Sequence, residues 1–281
     1  MIKRALYHIR QTAHVPSFSS YEERLHPYIR AVFNTIPKYR EISVDGNNLI
    51  FQGGNAADHP TIALTAHLDK INHYGASPDL LPVDVTDEYI EGAMDDCAGL
   101  GILLTLAELS TENDWPNLLF FFSEMEESKG LKKHPERLKN RGEGYRHGMG
   151  ARRISNRCIS LNIIPGQIIT VDTTPLFKGK PGIAIYSKHW ELNALKPTEQ
   201  LIHQTKKVVK RFKGIDSSIK KANNTNDYLL YGEEFNQKTD RTIVSVALEP
   251  AIYPYHQKGE KVFVDDIRRT LEILATYISG C

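Results

Sequence analysis

Five short segments that carry acidic residues or histidines lie along this chain in the order that a hydrolase with two metal ions requires. Two divalent cations held close together need about three protein ligands each, with one carboxylate shared between them. Such a centre also needs a carboxylate that takes a proton from the attacking water. The chain supplies all of these groups in His67-Leu68-Asp69, Asp95-Asp96, Glu126-Glu127, Asp172 and His256.

Apolar runs typical of buried strands precede four of these segments. They span residues 61–66 before His67, 117–122 before Glu126, 167–171 before Asp172 and 242–248 before His256. Open α/β sheets place their sites at the carboxyl ends of their strands. We therefore expect four strands to point these side chains at one edge of a sheet. Asp95-Asp96 should lie beside them at the start of a helix, where the backbone dipole favours anions.

Helical and turn patterns surround these strands. Apolar spacing predicts helices over residues 17–33, 98–109, 197–212 and 264–278, and a hairpin that pairs 41–44 with 49–52 around Asp45-Gly46-Asn47-Asn48. Strands separated by helices predict a mixed, mainly parallel sheet that is covered on both faces. The expected fold class is therefore α/β, a three-layer α/β/α sandwich, built as a single catalytic domain over residues 1–281.

The composition is that of a soluble enzyme and excludes several other classes of protein. The chain has 281 residues, of which 41% are hydrophobic and 25% charged, and its net charge is +1. It contains no apolar stretch of 18 residues, and its start at Met1 lacks the apolar core of a signal peptide. The three cysteines are too few for a disulfide framework. We therefore expect a cytoplasmic protein that does not bind a membrane.

One segment departs from this even balance of charge. Residues 129–157 hold ten basic residues against two acidic ones, and they follow Glu127 almost directly. Such a run is usually a solvated helix face or loop, and we interpret it as a basic insertion in the domain. The alternative is a surface for anionic substrates or for a partner, with Arg152 and Arg153 as the residues to test. Nucleic acid is not an expected partner, because the chain has no recognition motif.

At these motifs the chain resembles the zinc aminopeptidase and carboxypeptidase clan that includes the M28, M20 and M42 peptidases. The resemblance covers nearly the whole chain, and its main motifs are Ala66-His67-Leu68-Asp69, Gly92-Ala93-Met94-Asp95-Asp96, Glu126-Glu127, Val171-Asp172-Thr173-Thr174 and Tyr255-His256. From His67 to Asp95 is 28 positions, too few for the domain that M42 enzymes insert there. From Asp172 to His256 is 84 positions, too few for the domain that M20 enzymes insert there. The spacing therefore favours an M28-like single-domain aminopeptidase with two metal ions, whereas Val171-Asp172-Thr173-Thr174 and Pro254-Tyr255-His256 also resemble M42 enzymes, so the family within the clan stays open.

The resemblance implies a role for each metal ligand. Asp95 would bridge two divalent ions. His67 and Asp172 would complete the first site. Glu127 and His256 would complete the second site. A carboxylate-rich centre with two histidines suits Zn²⁺, and it also suits Co²⁺ or Mn²⁺.

Two further carboxylates would act on this centre. Asp69 would accept a hydrogen bond from the second ring nitrogen of His67 and so fix its tautomer. Glu126 would be the general base that takes the proton from water and later gives it to the leaving amine. The peptide bond after Asp95 would be cis. Any one of these residues alone could be a helix cap or a packed side chain, but their joint occurrence at strand ends favours the metal centre.

Two departures from the family pattern affect the site. Ser128-Lys129 precede Gly130, so the loop is one residue longer and Glu124 becomes an alternative to Glu126 in the register of the glutamates. In addition, Thr225-Asn226-Asp227-Tyr228 is the nearest match to the family's Gly-Thr-Asp-Ala and lacks its glycine. Asp227 and Tyr228 are therefore candidate substrate-binding residues, and recognition of the substrate end is the part expected to differ.

The predicted function is that of a metal-dependent exopeptidase that removes an amino-terminal residue from a peptide or small amide substrate. Alternatives with the same chemistry are an N-acyl amino acid amidohydrolase, a carboxypeptidase-type deacylase and a glutaminyl-cyclase-like acyl transferase. An alternative of another class is a catalytically inactive relative that binds a metal or a partner. Glu126 argues against this last alternative, because an inactive relative would be free to lose the base. The sequence leaves the oligomeric state and the side-chain preference open.

Overall fold

The computed structural model describes residues 1–54, 62–74, 78–129, 138–139, 146–192, 195–223 and 225–281. The helices in these ranges are α1 (Ile2–His14), α2 (His26–Asn34), α3 (Cys97–Leu109), α4 (Met149–Ser160), α5 (His189–Leu192), α6 (Glu199–Ile215), α7 (Asp227–Lys238) and α8 (Val264–Ser279). Two short 3-10 turns, at Glu22–Leu25 and Pro175–Phe177, add to them. None of these described helices has the length and apolar character needed to cross a bilayer.

The strands in the same ranges form two sheets. They are β1 (Tyr39–Ile42), β2 (Leu49–Gly53), β3 (Ile62–His67), β4 (Asp84–Val85), β5 (Tyr89–Gly92), β6 (Leu118–Ser123), β7 (Gln167–Val171), β8 (Ile183–Tyr186), β9 (Lys220–Ala222), β10 (Val244–Pro250), β11 (Ile252–Tyr253) and β12 (Glu260–Phe263). The large sheet has the order β1-β2-β6-β3-β7-β10-β8-β9. The small sheet has the order β11-β12-β5-β4.

The four strands predicted to carry the site lie side by side in the large sheet. β6, β3, β7 and β10 are parallel neighbours, so their carboxyl ends meet at one edge. β2 and β8 flank this block as antiparallel neighbours. The bounds of β7 are those predicted, whereas β10 begins at Val244 and continues to Pro250. The predicted mixed, mainly parallel sheet is therefore confirmed.

Two helix layers cover the large sheet, because successive residues of a strand point to opposite faces. In β6, Phe120 and Phe122 pack in a cluster with residues of α1, α3 and α8, whereas Leu119 and Phe121 pack with residues of α4 and α7. All four side chains are buried. Burial of an apolar side chain of this size contributes roughly 1.5–3 kcal/mol. The three-layer α/β/α fold class is confirmed.

The small sheet was not expected from the sequence, and it joins two parts of the predicted site. β12 pairs with β5 in antiparallel register, with Glu260 opposite Gly92. β11 in turn pairs with β12. The chain passes from β5 to Asp95 within three residues, and His256 lies in the connection from β11 to β12. The small sheet therefore brings Asp95 and His256 together although they are far apart in the sequence.

The predicted helix over residues 17–33 is wrong at its start. α2 begins only at His26, and residues 17–21 run beside residues 68–70 instead. Ser17 Oγ donates to the main-chain oxygen of Leu68 at 2.8 Å, and Ser20 has a φ of 72°, a left-handed conformation that interrupts a helix. A serine hydroxyl can form a hydrogen bond with a distant main-chain oxygen as well as with a helix end. For this reason the serines at the start of this segment resembled a helix cap without forming one.

The hairpin is confirmed with shifted ends. β1 and β2 pair in antiparallel register, with Ile42 opposite Ile50 and Tyr39 opposite Gly53. The connection between the strands is therefore longer than the four-residue turn that the sequence predicts. Its last residues, Asn47 and Asn48, turn towards residues 124–128, the glutamate loop, which follows β6 and carries Glu124, Glu126 and Glu127.

The described part of the basic segment is mainly helical. Residues 130–137 and 140–145 lie outside the described residues, and α4 includes Arg152 and Arg153. Arg152 forms ion pairs with Glu233, at 3.2 Å, and with Glu234. Arg153 Nη1 lies 2.6 Å from Glu124 Oε1. The charges of these two arginines are therefore balanced by acids of the same molecule.

Candidate metal centre

Asp95 lies between two histidines, with one imidazole near each of its carboxylate oxygens. His67 Nε2 is 3.2 Å from Asp95 Oδ1, and His256 Nε2 is 3.2 Å from Asp95 Oδ2. The peptide bond between Asp95 and Asp96 is cis, as the family resemblance implies. Asp96 caps α3 by accepting a hydrogen bond from the N–H of Gly99 at 2.8 Å. The two oxygens of Asp95 are thus oriented toward two different groups of ligand atoms.

Two sets of three side chains form around this shared carboxylate. His67, Asp95 and Asp172 make one set, and Asp95, Glu127 and His256 make the other; the ligand atoms within each set lie within 4.8 Å of one another. Nitrogen from imidazole and oxygen from carboxylate are the donors that Zn²⁺ and similar divalent ions accept. The residues therefore fit a pair of divalent cations. All five residues predicted as ligands converge here.

The buried acids of this centre repel one another. Burial raises the pKa of Asp172 to about 6, and repulsion from Asp95 adds to the effect. Burial also raises the pKa of Glu126 well above its ordinary value, with added repulsion from Glu127. Burial lowers the pKa of His67, but hydrogen bonds to the site carboxylates outweigh this and raise the pKa well above its ordinary value. The site thus has an excess of negative charge, which divalent cations would neutralise.

Asp69 orients His67 in a different way from the predicted one. The Nδ1 atom of His67 lies 3.0 Å from the main-chain oxygen of Asp69 and 3.4 Å from its Oδ1. A main-chain oxygen can only accept, so Nδ1 carries a proton, and Nε2 is the ring nitrogen that would bind a metal ion when the ring is neutral. The expected second-nitrogen contact is present, but the closer partner is the backbone of Asp69 rather than its carboxylate.

The carboxylate of Asp69 instead holds the loop that carries the two glutamates. It is fully buried and accepts hydrogen bonds from the N–H groups of Glu126 at 2.9 Å, Glu127 at 3.0 Å and Ser128 at 3.2 Å, and from Ser19 Oγ at 2.6 Å. Hydrogen bonds from several N–H groups stabilise a charged carboxylate. Asp69 is therefore the residue that fixes the backbone of the glutamate loop against the end of β3.

The structure separates the three glutamates of this loop. Glu124 accepts hydrogen bonds from Asn47 N at 2.9 Å, from Asn48 Nδ2 at 2.7 Å and from Arg153, so its carboxylate is engaged by the hairpin and α4. Glu127 Oε1 lies 2.7 Å from His256 Nε2. Glu126 belongs to neither ligand set, and it is only 8% exposed. This arrangement favours the register with Glu126 as base and Glu127 as ligand.

Glu260 is a site residue that the sequence reasoning missed. Its Oε2 accepts hydrogen bonds from the N–H groups of Met94 at 3.0 Å and Asp95 at 3.2 Å, and its Oε1 accepts from the N–H of His256 at 3.0 Å. Burial raises its pKa to about 8, and repulsion from Asp95 adds to this. A glutamate that begins a short strand and shares its buried face with Val262 is the signal that could have identified it. Glu260 connects the backbones of two predicted ligands.

Lys129 is a second missed residue. Its Nζ lies 2.8 Å from Glu127 Oε2, on the side of the carboxylate away from His256. The lysine side chain is 44% exposed. It therefore places a positive charge at the outer oxygen of one predicted ligand, where the one-residue insertion of the loop begins.

Asp227 and Tyr228, the candidate substrate-binding residues, lie at the start of α7, where repulsion from Asp227 adds to the raised pKa of Glu126. Asp227 begins α7, is buried, and accepts a hydrogen bond from Ser123 Oγ at 2.5 Å. Tyr228 is fully buried and packs with Tyr186 and Leu229 in the core. The structure gives Tyr228 no surface to present to a substrate, because the helix start turns its ring into the protein.

No protein-family model matches this chain, and no curated protein matches it either. Solved structures do match it over nearly its whole length. A TET aminopeptidase from the marine sediment archaeon Thaumarchaeota archaeon has a TM-score of 0.68 at 10% identity, covering 99% of this chain and 96% of that one. Aminopeptidase PepT from Bacillus cereus has a TM-score of 0.66 at 14% identity, covering 99% and 98%.

A further match is the TET1 peptidase of Pyrococcus horikoshii, with a TM-score of 0.64 at 15% identity, covering 98% of this chain and 99% of that one. Likeness at this level of identity is a statement about the fold. The chain therefore has the fold of these peptidases, in agreement with the clan that its motifs resemble.

Proposed function

We propose that this chain is a metal-dependent aminopeptidase. The observation that carries the proposal is the position of Asp95, whose two oxygens each face a histidine, with Asp172 and Glu127 completing two ligand sets. Folding alone does not favour the burial of two imidazoles and three carboxylates at one point, because the acids repel one another. The names of the structural neighbours, which include aminopeptidases and a tripeptidase, support the choice of peptides as substrates.

The proposed cofactor is a pair of divalent ions, with zinc as the first choice and cobalt or manganese as alternatives. His67, Asp95 and Asp172 would hold one ion. Asp95, Glu127 and His256 would hold the other. When bound, such ions lower the pKa of water and polarise the carbonyl of the scissile bond.

Glu126 is the proposed general base and acid. Its backbone is fixed by Asp69, and its carboxylate belongs to neither ligand set, so it is available to accept a proton from the attacking water. The same carboxyl group would then give that proton to the nitrogen of the leaving amine. One side chain, held against the end of β3, would thus carry the proton from the attacking water to the leaving nitrogen.

Within the clan we propose an M28-like catalytic domain. The short interval from His67 to Asp95 supports this, because in this chain it contains only the two short strands β4 and β5 of the small sheet among the described residues. The TET-like neighbours share the core of the fold with it. We also propose a cytoplasmic location, which the three free cysteines fit.

The test is Glu126→Gln. The amide cannot accept a proton from water, so hydrolysis of aminoacyl amide substrates should fall by about 10²–10⁴-fold. Metal content, measured by elemental analysis of the purified protein, should not change, because no proposed ligand is altered. Loss of metal in this variant would instead make Glu126 a ligand.

Glu124→Gln is the matched control in the same loop. Its carboxylate is engaged by Asn47, Asn48 and Arg153, so the variant should lower stability and leave turnover of the folded protein nearly intact. The opposite pattern, with Glu124→Gln inactive and Glu126→Gln active, would reverse the roles of the two glutamates. A panel of N-acyl amino acids beside the aminoacyl substrates distinguishes the aminopeptidase from the deacylase alternative.

A further inference from the structure

A lysine-lined cavity of about 600 Å³ lies between α5, α6 and the edge strand β9. Five lysines line it: Lys188, Lys206, Lys210, Lys213 and Lys221. None of the described residues that line it is acidic. Its volume lies within the range of sites for small organic ligands, about 300–1,000 Å³.

This cavity is separate from the candidate metal centre. The centre lies at the carboxyl ends of β3, β6, β7 and β10, whereas β8 runs antiparallel to β10 and β9 runs parallel to β8. Ser187 and Lys188 follow the carboxyl end of β8, so they lie at the opposite edge of the large sheet. None of the proposed metal ligands lines the cavity.

The floor of the cavity is apolar. Ile202, Thr205 and Val209 lie on one face of α6, with spacings of three and four residues, and Trp190 of α5 lies across from them. Thr205 and Val209 are buried, while Trp190 is half-buried against the main core. An aromatic and aliphatic floor of this kind favours the alkyl or aryl part of a ligand.

The lysines around this floor are poorly balanced. Lys188 pairs with Glu191 at 2.5 Å. No carboxylate of the described chain forms an ion pair with Lys206, Lys210 or Lys213, which share one face of α6. Like charges at this spacing on a helix are unfavourable, so the arrangement costs folding stability rather than adding to it. An anion bound among them would remove the repulsion.

One polar side chain lies in the floor. Thr205 is 3% exposed, so it adds little polar surface to the cavity. The cavity therefore offers an apolar surface and a rim of ammonium groups.

We propose that this cavity binds a small amphiphilic anion, an alkyl chain that ends in a carboxylate. The chain would lie on Trp190, Ile202 and Val209, and the carboxylate would be placed among the lysines of α6. A free inorganic anion would leave the apolar floor exposed, and a neutral lipid would leave the lysines unpaired. The proposal is independent of the aminopeptidase function, because the cavity shares no residue with the metal centre.

Trp190 allows a direct test of binding. The chain has two tryptophans, and Trp115 lies elsewhere, where its Nε1 donates to Ser279 Oγ at 2.8 Å. In a Trp115→Phe background, the emission of Trp190 should change saturably when monomeric dodecanoate is added. Dodecanol should bind more weakly, and dodecyltrimethylammonium should bind least. Raising the ionic strength should weaken dodecanoate binding, since screening acts over about 8–10 Å.

Charge-removing variants provide the matched pair. Lys210→Gln with Lys213→Gln should weaken dodecanoate binding by about three- to thirtyfold, as expected for loss of two exposed charge contacts. Lys207→Gln, on the same helix but outside the cavity, should bind like the parent. Equal binding of dodecanoate and dodecanol, or equal effects of the two sets of variants, would overturn the proposal. Binding of an acidic peptide without binding of dodecanoate would also overturn it, in favour of a protein partner.

Discussion

The two halves of the candidate metal centre are held in different ways. His67 and Asp172 lie at the carboxyl ends of β3 and β7, which are adjacent parallel strands in the middle of the large sheet. Their positions follow from the main-chain hydrogen bonds of that sheet. The His67 side chain is only 3% exposed.

The other half is built from loops. His256 has a φ of 53° and a side chain that is 17% exposed, and Glu127 lies in the loop after β6. Two buried carboxylates, those of Asp69 and Glu260, fix these loops through hydrogen bonds to main-chain N–H groups. The comparison indicates that the strand-end half is the more rigid of the two, and that the loop half should release its metal first.

The largest expected effect is that of Asp95→Ala, which removes the ligand that both halves share. Metal content should fall from about two ions per chain toward none. His256→Ala should lose only the ion of the loop half, and His67→Ala should lose the ion of the strand-end half. Elemental analysis after gel filtration measures this. Unchanged metal in Asp95→Ala would show that the ions bind elsewhere.

The next effect concerns pH. The folded pKa is about 6 for Asp172 and about 8 for Glu260, above the unfolded values of about 4. The folded state therefore binds these protons more tightly, so their contribution to stability is present at low pH and is lost as pH rises through the folded pKa. Metal-free protein should therefore lose stability between about pH 4 and pH 8, with an upper bound of about 1.4 kcal/mol for each unit by which a pKa is raised.

Urea unfolding in the presence of a chelator measures this loss, and two variants assign it to the two halves. Asp172→Asn should reduce the pH dependence of the free energy of unfolding below about pH 6. Glu260→Gln should reduce it up to about pH 8. With metal present the trend should reverse, because metal binding requires deprotonated ligands. A metal-free protein that gains stability as pH rises would contradict the proposed repulsion.

Glu260→Gln should also act on metal binding. A glutamine offers one acceptor oxygen where the glutamate offers two, so it cannot hold both the Asp95 and the His256 backbones. The affinity of the loop half for its metal ion should fall by about 10–100-fold, the usual cost of losing a group that orients ligands. Competition with a chromogenic chelator measures it. Glu272→Gln, in α8, with a side chain that is 45% exposed, is the control and should leave both affinities unchanged. Equal weakening of both ions in Glu260→Gln would assign Glu260 to general stability.

The smallest effect is expected from Lys129→Gln. Lys129 competes with a cation for the outer oxygen of Glu127, but it is 44% exposed, so its charge is well screened. Removing it should tighten the ion of the loop half by a few-fold, about the value of an exposed ion pair. Lys139→Gln is the control. Lys139 is 40% exposed and its partner Glu23 is 39% exposed and belongs to neither ligand set, so this variant should have no effect on metal affinity. A weaker ion in Lys129→Gln would mean that the lysine orients Glu127 rather than competing with metal.

Much of the fold and the strand-end half of the site could be predicted because their signals are local. An apolar run of five or six residues marks a buried strand, and the polar residue that ends it marks the sheet edge, as with His67 and Asp172. The helix over residues 17–33 was wrong at its start because the serines there bond to residues 68–70, a contact that no local pattern records.

The sequence by itself determined the four strands that carry the site, the sheet class and the set of residues with ligand chemistry. Only the tertiary structure decided that Asp69 holds the glutamate loop, that Glu260 connects Asp95 to His256, and that Tyr228 is buried. The physical reason is that residue types and their periodicity are properties of short segments, whereas these contacts join segments far apart in the chain. Which buried acid accepts which N–H depends on the packing of two sheets, and that packing is fixed only when the whole core forms.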